Sequence, residues 1–213
     1  MRICILQANH PNLDYLQLTR KVNEIFAAHY DYQFVDIPEM DNNLHPATKK
    51  IYIVRDFLEK ATHDIVVFLD NAWIQNGAWL DYIITQLIKT KKQGCFSREP
   101  YDVQNAYIND GSFILKVNNY TRRMYNMIVE QLDKRMDQHY VSEYVFNHRE
   151  HFNVFVPTIL NTPIGLILRH KSHTIYDDTN KIIGYTREER VTEDLKAYPF
   201  RWTDYLDTEP FPN

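Results

Sequence analysis

Short apolar runs alternate with amphipathic segments through the first half of the chain. The runs at 3–6, 33–37, 64–69 and 94–97 predict strands, and the third, rich in β-branched residues, is typical of a strand covered on both sides. Between these runs, apolar residues recur at helical spacing over 18–26, 46–61 and 79–88. This β-α-β-α-β-α-β order predicts an α/β fold with a mostly parallel sheet, flanked by helices and joined by right-handed crossovers.

The second half of the chain predicts a mixed arrangement. Residues 112–117 alternate as a strand, and Asn118 caps a helix that runs to about residue 134. A further helix is predicted over 137–148, with short strands near 153–157 and 165–168. From residue 171 onward the chain is polar, aromatic and weakly periodic. Because no internal repeat and no Ser/Gly-rich linker occurs, we expect one domain over residues 1–213.

Composition and charge exclude several classes of protein. The chain is 44% hydrophobic and 24% charged, which is typical of a globular protein, and its net charge of −4 leaves no basic field for nucleic acid. No stretch approaches the ~20 apolar residues of a membrane span, and because the N-terminus enters a predicted strand directly, we expect no signal peptide. Cys4 and Cys95 lie in apolar runs, which predicts buried free thiols in a reducing compartment. We expect a cytoplasmic protein or one domain of a longer chain.

Glycine is scarce, whereas aromatic residues are abundant. Only 5 glycines occur, where average usage of about 7% would give roughly 15. Their wide spacing excludes the dinucleotide-binding and P-loop fingerprints. The 15 Tyr and 11 Phe predict either aromatic core packing or a cleft that stacks flat ligands.

Polar residues follow two of the predicted strands at their carboxyl ends, where open α/β sheets bind ligands. Residues 7–10 follow the first strand, and Asp70 ends the third. A carboxylate at this position is suited to a hard divalent cation, although it could equally cap the next turn.

Several motifs, taken together, carry a family resemblance. The His45-Pro46 start, Lys50, Arg55 and then Asp70 at a strand end resemble the core of GT-A glycosyltransferases, especially the mannan-type galactosyl- and mannosyltransferases. The run Asn-Asp-Gly-Ser-Phe-Ile-Leu at 109–115 resembles the family's strand beside the sugar, and 137–138 resembles its Asp/Glu-Gln pair at a helix start. The compact size is also similar to glycosyltransferase domains of chlorella viruses.

The resemblance implies a metal-assisted reaction with a UDP-sugar donor. Asp70 would bind Mn²⁺ or Mg²⁺, but Ala72 stands where the family has its second metal-binding Asp. His170 and His173 lie in the region of a late histidine ligand, and either could instead be structural. A weakly metal-dependent site remains the alternative.

The same resemblance implies roles for other polar residues. Lys50 and Arg55 lie about 140° apart on a helix, so only one of them should reach the nucleotide, unless both belong to a solvent-exposed face. Further donor-binding candidates, toward the base, ribose or diphosphate, are Gln7, Asn9, His10, Asn71, Arg169 and Lys171.

An acceptor hydroxyl needs a base as it attacks the donor. Asp137 is the first candidate and Asp110 the second, although an Asp at a helix start is commonly a cap. A carboxylate base favours inversion of configuration, whereas the mannan-type family retains configuration, so both outcomes stay open.

The leading hypothesis is transfer of a hexosyl or deoxyhexosyl unit from a UDP-sugar to a carbohydrate acceptor. Residues 1–110 would bind the nucleotide and 111–213 would face the acceptor, in the host cytoplasm if the protein is viral. The alternative is a catalytically inactive, transferase-like module that binds carbohydrate or a partner, which the Ala72 departure favours. A nucleotidyltransferase is disfavoured because 7–11 contain no glycine- and arginine-rich loop.

Overall fold

The computed structural model describes residues 1–9, 14–38, 44, 46–70, 72–99, 107–132, 137–156, 159–160 and 167–169. The described strands are β1 (Ile3–Asn9), β2 (Gln33–Pro38), β3 (Ile65–Asp70), β4 (Trp73–Ile74), β5 (Gly94–Arg98), β6 (Ile108–Lys116), β7 (Phe152–Phe155) and β8 (Leu168–Arg169). The described helices are α1 (Asp14–His29), α2 (Pro46–Lys60), α3 (Gly77–Lys89), α4 (Asn119–Gln131) and α5 (Asp137–Asn147), and one 3-10 turn covers Arg149–His151.

Six of these strands form one sheet in the order β2-β1-β3-β6-β5-β7. Strand β1 pairs in parallel with β2 and β3, and β5 pairs in parallel with β7. Only β6 runs against its neighbours β3 and β5. Strands β4 and β8 form a separate antiparallel pair. The predicted α/β class, with a mostly parallel sheet in the first half and a mixed second half, is therefore confirmed.

Helices cover both faces of the sheet. Helices α1 and α3 pack on one face against side chains such as Ile5 and Val67, and α2, α4 and α5 pack on the other against Leu6 and Phe68. Adjacent residues of β1 and β3 thus enter different cores, as expected for strands covered on both sides. Cys4 and Cys95 are buried free thiols, as predicted.

Aromatic side chains fill the core on the α2 side. The rings of Phe68 and Phe113 stack with centroids 5.0 Å apart, and Phe96 lies 5.3 Å from Phe113 and 5.6 Å from Phe152. Tyr125 of α4 completes the group at 6.2 Å from Phe113. Much of the aromatic content in the described part of the chain therefore serves core packing.

Strand β6 carries a bulge near one edge of the sheet. The β5–β6 register shifts partway along the pair, so that residues 110–113 lie opposite the single residue Phe96. The N–H of Gly111 donates to Asn109 Oδ1 at 3.2 Å, which holds the extra residues in a turn. Three additional residues reverse the alternation of side chains, and bulges commonly re-aim side chains in this way. The predicted strand began only at residue 112, within the bulge.

Candidate functional site

Some of the polar residues predicted from the sequence lie near one edge of the sheet. Strands β1, β3 and β5 point the same way, so their carboxyl ends lie along one edge. Ala8 is the register partner of Asp70, and Leu69 pairs with Ser112 of the bulge. The bulge of β6 therefore lies beside the carboxyl end of β3, at the place where ligands bind to open α/β sheets.

Asp70 ends a strand whose five preceding residues are buried, and its own side chain is half-buried. Alternation along β3 puts Asp70 on the same face as Phe68, toward helix α2. A carboxylate in this position suits a hard cation by type and place. Within the described part of the chain, no group of three His, Cys, Asp or Glu side chains could hold a metal ion together. Asp70 is thus a candidate ligand that belongs to no such group of three among the described residues.

Lys50 and Asp110 form a buried ion pair beside this edge. The Lys50 Nζ lies 2.9 Å from Asp110 Oδ1, and only 8% and 6% of the two side chains are exposed. The pair ties α2 to the bulge, because Asp110 is one of the four bulged residues. Asp110, the second candidate for the catalytic base, therefore has one carboxylate oxygen engaged by an ammonium group. Removing one partner of such a pair is expected to be costly, because it leaves a charge buried without its counterion.

Arg55 lies on a different side of α2 from Lys50. Its Nε donates to the carboxylate of its neighbour Asp56, and its guanidinium lies 5.5 Å from the ring centroid of Tyr52. About a quarter of the Arg55 side chain is exposed, at 27%. The two predicted cations are thus directed differently, and Lys50 is the one that reaches the bulge.

Gln7 belongs to a buried network. Its side chain is fully buried, with Nε2 donating to Thr19 Oγ1 at 3.2 Å and Oε1 accepting from Asn23 Nδ2 at 2.8 Å. Asn23 also donates to the carbonyl of Ala72 at 3.0 Å and accepts from the N–H of Ile74 at 3.0 Å. Contrary to the predicted contact with base or ribose, the Gln7 side chain faces α1 and supports the chain after Asp70.

Position 72 faces the core. Ala72 is fully buried in the cluster formed with α1 and α3, and its carbonyl is held by Asn23. A carboxylate at this position would be buried in an apolar environment at a high desolvation cost. The absence of a second Asp at this position therefore agrees with the inward direction of residue 72.

A second polar cluster lies at the carboxyl end of β5. The Oε2 atom of Glu99 accepts hydrogen bonds from Asn109 Nδ2 and from Gln138 Nε2, each at 3.0 Å. This contact fixes the first turn of α5, which begins at Asp137, to the end of β5. Sequence reasoning missed Glu99, although it directly follows β5 at the same edge of the sheet at which Asp70 ends β3.

The remaining predicted residues are placed only in part. Asn9 ends β1, and Asp137 begins α5. Arg169 pairs with Trp73 across the β4–β8 ladder, and Trp73 lies three residues after Asp70. Five predicted residues lie outside the described part of the chain: His10, Asn71, His170, Lys171 and His173. None of the described helices combines the length and apolar character needed to cross a membrane.

Comparisons with known proteins identify the fold. No protein-family model matches the chain, and no curated protein matches it in sequence. A solved glycosyltransferase involved in the glycosylation of the major capsid of PBCV-1 superposes with a TM-score of 0.68 at 17% identity, covering 91% of this chain and 98% of its own.

Two further solved structures are more distant. A mutant of Drosophila β-1,4-galactosyltransferase 7, in complex with manganese, UDP-Gal and xylobiose, has a TM-score of 0.49 at 9% identity and covers 90% of this chain and 79% of its own. The A197 protein from STIV has a TM-score of 0.45 at 11% identity and covers 86% and 93%. The superposition on the PBCV-1 protein and the sheet order agree with the motifs of the sequence, and the chain has the GT-A glycosyltransferase fold.

Proposed function

We propose that the chain is a glycosyltransferase that moves a hexosyl or deoxyhexosyl unit from a UDP-sugar to a carbohydrate acceptor. A fold hosts many functions, so the GT-A fold supports this reaction only by analogy. The observation that carries the proposal is Asp70, a half-buried carboxylate that ends the otherwise buried strand β3 at the ligand-binding edge of the sheet.

The donor side of the site is assigned to the chain after β3. Asp70 would hold Mn²⁺ or Mg²⁺, with the other ligands from the donor diphosphate, water or His170 and His173. When bound, such a cation stabilises the negative charge that develops on the leaving diphosphate. The Gln7–Asn23 network supports this assignment because it fixes the backbone at residues 72 and 74 and so limits the movement of Asp70.

The acceptor side is assigned to the bulge of β6 and the start of α5. Asp137 is the proposed base, because Gln138 anchors the first turn of its helix to Glu99 at the same edge of the sheet. Lys50 would hold Asp110, and with it the bulge, in place. Direct attack by the acceptor, with this base on the face opposite the leaving diphosphate, would invert the configuration of the sugar.

The decisive experiment pairs Asp70→Ala with Asp64→Ala. Asp64 lies next to the opposite end of β3, where its carboxylate accepts the Arg2 N–H at 2.7 Å, so it controls for losing a carboxylate beside the same strand. We expect Asp70→Ala to abolish Mn²⁺-dependent binding of UDP in calorimetry and release of UDP from UDP-glucose, UDP-galactose or UDP-rhamnose. Asp64→Ala should retain both.

Wild-type protein that binds no UDP, with or without Mn²⁺, would overturn the proposed function. That result would favour the inactive binding module, for which the inward-facing Ala72 is the supporting observation. An Asp70→Ala variant that stays folded and fully active would instead move the donor site elsewhere.

A further inference from the structure

Glu99 is fixed in place through both its side chain and its main chain. Its Oε2 accepts two amide hydrogen bonds at 3.0 Å, one from β6 and one from α5. Its own N–H donates to the carbonyl of Tyr107 at 3.0 Å. Two segments, residues 107–109 and the first turn of α5, thus hold the half-buried Glu99, and Asn109 links it to the bulge by also accepting the N–H of Gly111.

The donors that orient Glu99 are neutral. None of the ion pairs found among the described side chains includes Glu99, so its side-chain bonds to Asn109 and Gln138 orient the carboxylate without cancelling its charge. A charged acceptor makes stronger hydrogen bonds to hydroxyl groups than a neutral acceptor does. Glu99 is therefore suited to bind a ligand rich in hydroxyl groups.

An exposed aromatic ring adjoins this carboxylate. Tyr107 is 39% exposed. Its ring centroid lies 6.3 Å from that of His139 on α5, one residue beyond the Gln138 that holds Glu99. An aromatic surface next to a few precisely placed polar groups is the usual lining of a small-molecule site. A sugar ring offers both matching surfaces, an apolar C–H face and a rim of hydroxyls.

The cluster around Glu99 lies too far from Asp70 to share the cation that Asp70 would hold. Strand β6 lies between β3 and β5, so the ends of β3 and β5 are two strand spacings apart, about 10 Å. Oxygen ligands lie only about 2.0–2.6 Å from Mg²⁺ or Ca²⁺, and we expect a similar separation for Mn²⁺. At that spacing Glu99 is better suited to a second ligand beside the donor than to the cation that Asp70 would hold.

We propose that Glu99 and Tyr107 form the subsite for the acceptor, a neutral glycoside whose hydroxyls donate to the Glu99 carboxylate while one face of its ring lies on Tyr107. This inference rests on the proposed function for its role in transfer. Asn109 and Gln138 act as positioning residues, because they hold the carboxylate.

The test measures glycoside and donor binding separately. The probes are the methyl glycosides of glucose, galactose, mannose and xylose, titrated by ligand-observed NMR, and UDP with Mn²⁺, titrated by calorimetry. Glu99→Gln should raise the Kd of the best-bound glycoside about tenfold or more, because a charged hydrogen bond is lost. Tyr107→Ala should also weaken glycoside binding, and its exposed position makes loss of folding improbable as a cause.

Glu130→Gln is the matched control, because Glu130 is an exposed carboxylate on α4 outside the site. It should bind glycosides and UDP like the wild type. Equal glycoside affinity in Glu99→Gln and Glu130→Gln would overturn the subsite, as would a wild-type protein that binds UDP but none of the four glycosides. If UDP does not bind, yet a glycoside binds and Glu99→Gln weakens it, the subsite stands and the proposed transferase function fails.

Discussion

Two clusters built around side-chain amides lie at the same edge of the sheet and differ in burial. Around Asn23, on the α1 side, Gln7, Thr19 and Asn23 itself are all fully buried. Around Glu99, on the α5 side, Asn109 and Gln138 are half-buried. A polar group that is buried must be satisfied within the protein, whereas one that borders solvent can exchange its partner for a ligand. The first cluster thus holds the backbone, and the second is available for binding.

The largest expected effect on stability follows from Asn23→Leu. The substitution keeps the approximate volume but leaves Gln7 Oε1, the Ala72 carbonyl and the Ile74 N–H without this partner. An unsatisfied buried group costs about 1–3 kcal/mol, so we expect a loss of about 3 kcal/mol or more in the free energy of unfolding. Urea denaturation measures this loss, and the corresponding fall in Tm is about 6–12 °C for a chain of this size.

Asn126→Leu provides the control for that change. Asn126 of α4 also donates from its amide, to Glu59 Oε1 at 2.7 Å, but this hydrogen bond is exposed and Asn126 itself is only half-buried. Its replacement should change the free energy of unfolding by less than about 0.5 kcal/mol. Similar losses in both variants would remove the distinction between buried and exposed amides on which the comparison depends.

Gln138→Met should have a much smaller effect on stability. The variant removes one of the two amides that hold Glu99, while water can replace the lost donor at this half-buried position. We expect a loss of about 1 kcal/mol or less in the free energy of unfolding. Glycoside affinity should fall in the same variant, since the carboxylate loses one of the contacts that orient it.

If Gln138→Met lowered the free energy of unfolding as much as Asn23→Leu does, the Glu99 cluster would have a structural role and not a binding role. Unchanged glycoside binding would contradict the positioning role of Gln138. Gln138→Asn keeps a side-chain amide, but the side chain is one methylene shorter and should not reach Glu99. Comparing it with Gln138→Met separates the position of the amide from its capacity to form hydrogen bonds.

The two clusters also mark the limit of what the sequence predicted. Hydrophobic periodicity identified β1 and β3 and therefore the edge at which Asp70 lies, because burial on both faces imposes a continuous apolar run. It could not reveal that Gln7 turns toward α1, since a buried glutamine and a ligand-binding one have the same local sequence. Only the pairing with Thr19 and Asn23, which lie 12 and 16 residues away, decides between them.

The region around Glu99 was less visible in the sequence because a bulge disrupts the alternation of side chains in β6. The strand was predicted from residue 112, whereas β6 begins at Ile108 and contains the bulge at 110–113. Asp110 turns to Lys50 and Asn109 binds Glu99 only because this bulge re-aims them. No period in the sequence encodes a shift of three residues relative to a neighbouring strand, so Glu99 had no signal beyond its position after a strand.

The two cysteines allow each region to be probed separately. Cys4 lies three residues before Gln7 in β1, and Cys95 lies four residues before Glu99 in β5. Burial raises the pKa of both thiols to about 12, so neither should react with a thiol reagent at about pH 8 until the surrounding structure opens. Asn23→Leu should accelerate labelling of Cys4 more than that of Cys95, as resolved by peptide mass spectrometry. Equal acceleration would mean that the two strands open together rather than as separate units.

The pH dependence of stability tests the same two buried thiols. An unfolded thiol loses its proton near pH 8.5, whereas the two folded thiols keep theirs up to about 12. Deprotonation above about pH 8.5 therefore favours the unfolded state, and the free energy of unfolding should decline as the pH rises from about 8 to about 9.5. The double variant Cys4→Ala and Cys95→Ala should show a flatter profile over the same interval. An unchanged slope would assign the decline to other groups and would mean that the buried thiols are already accessible to solvent in the folded state.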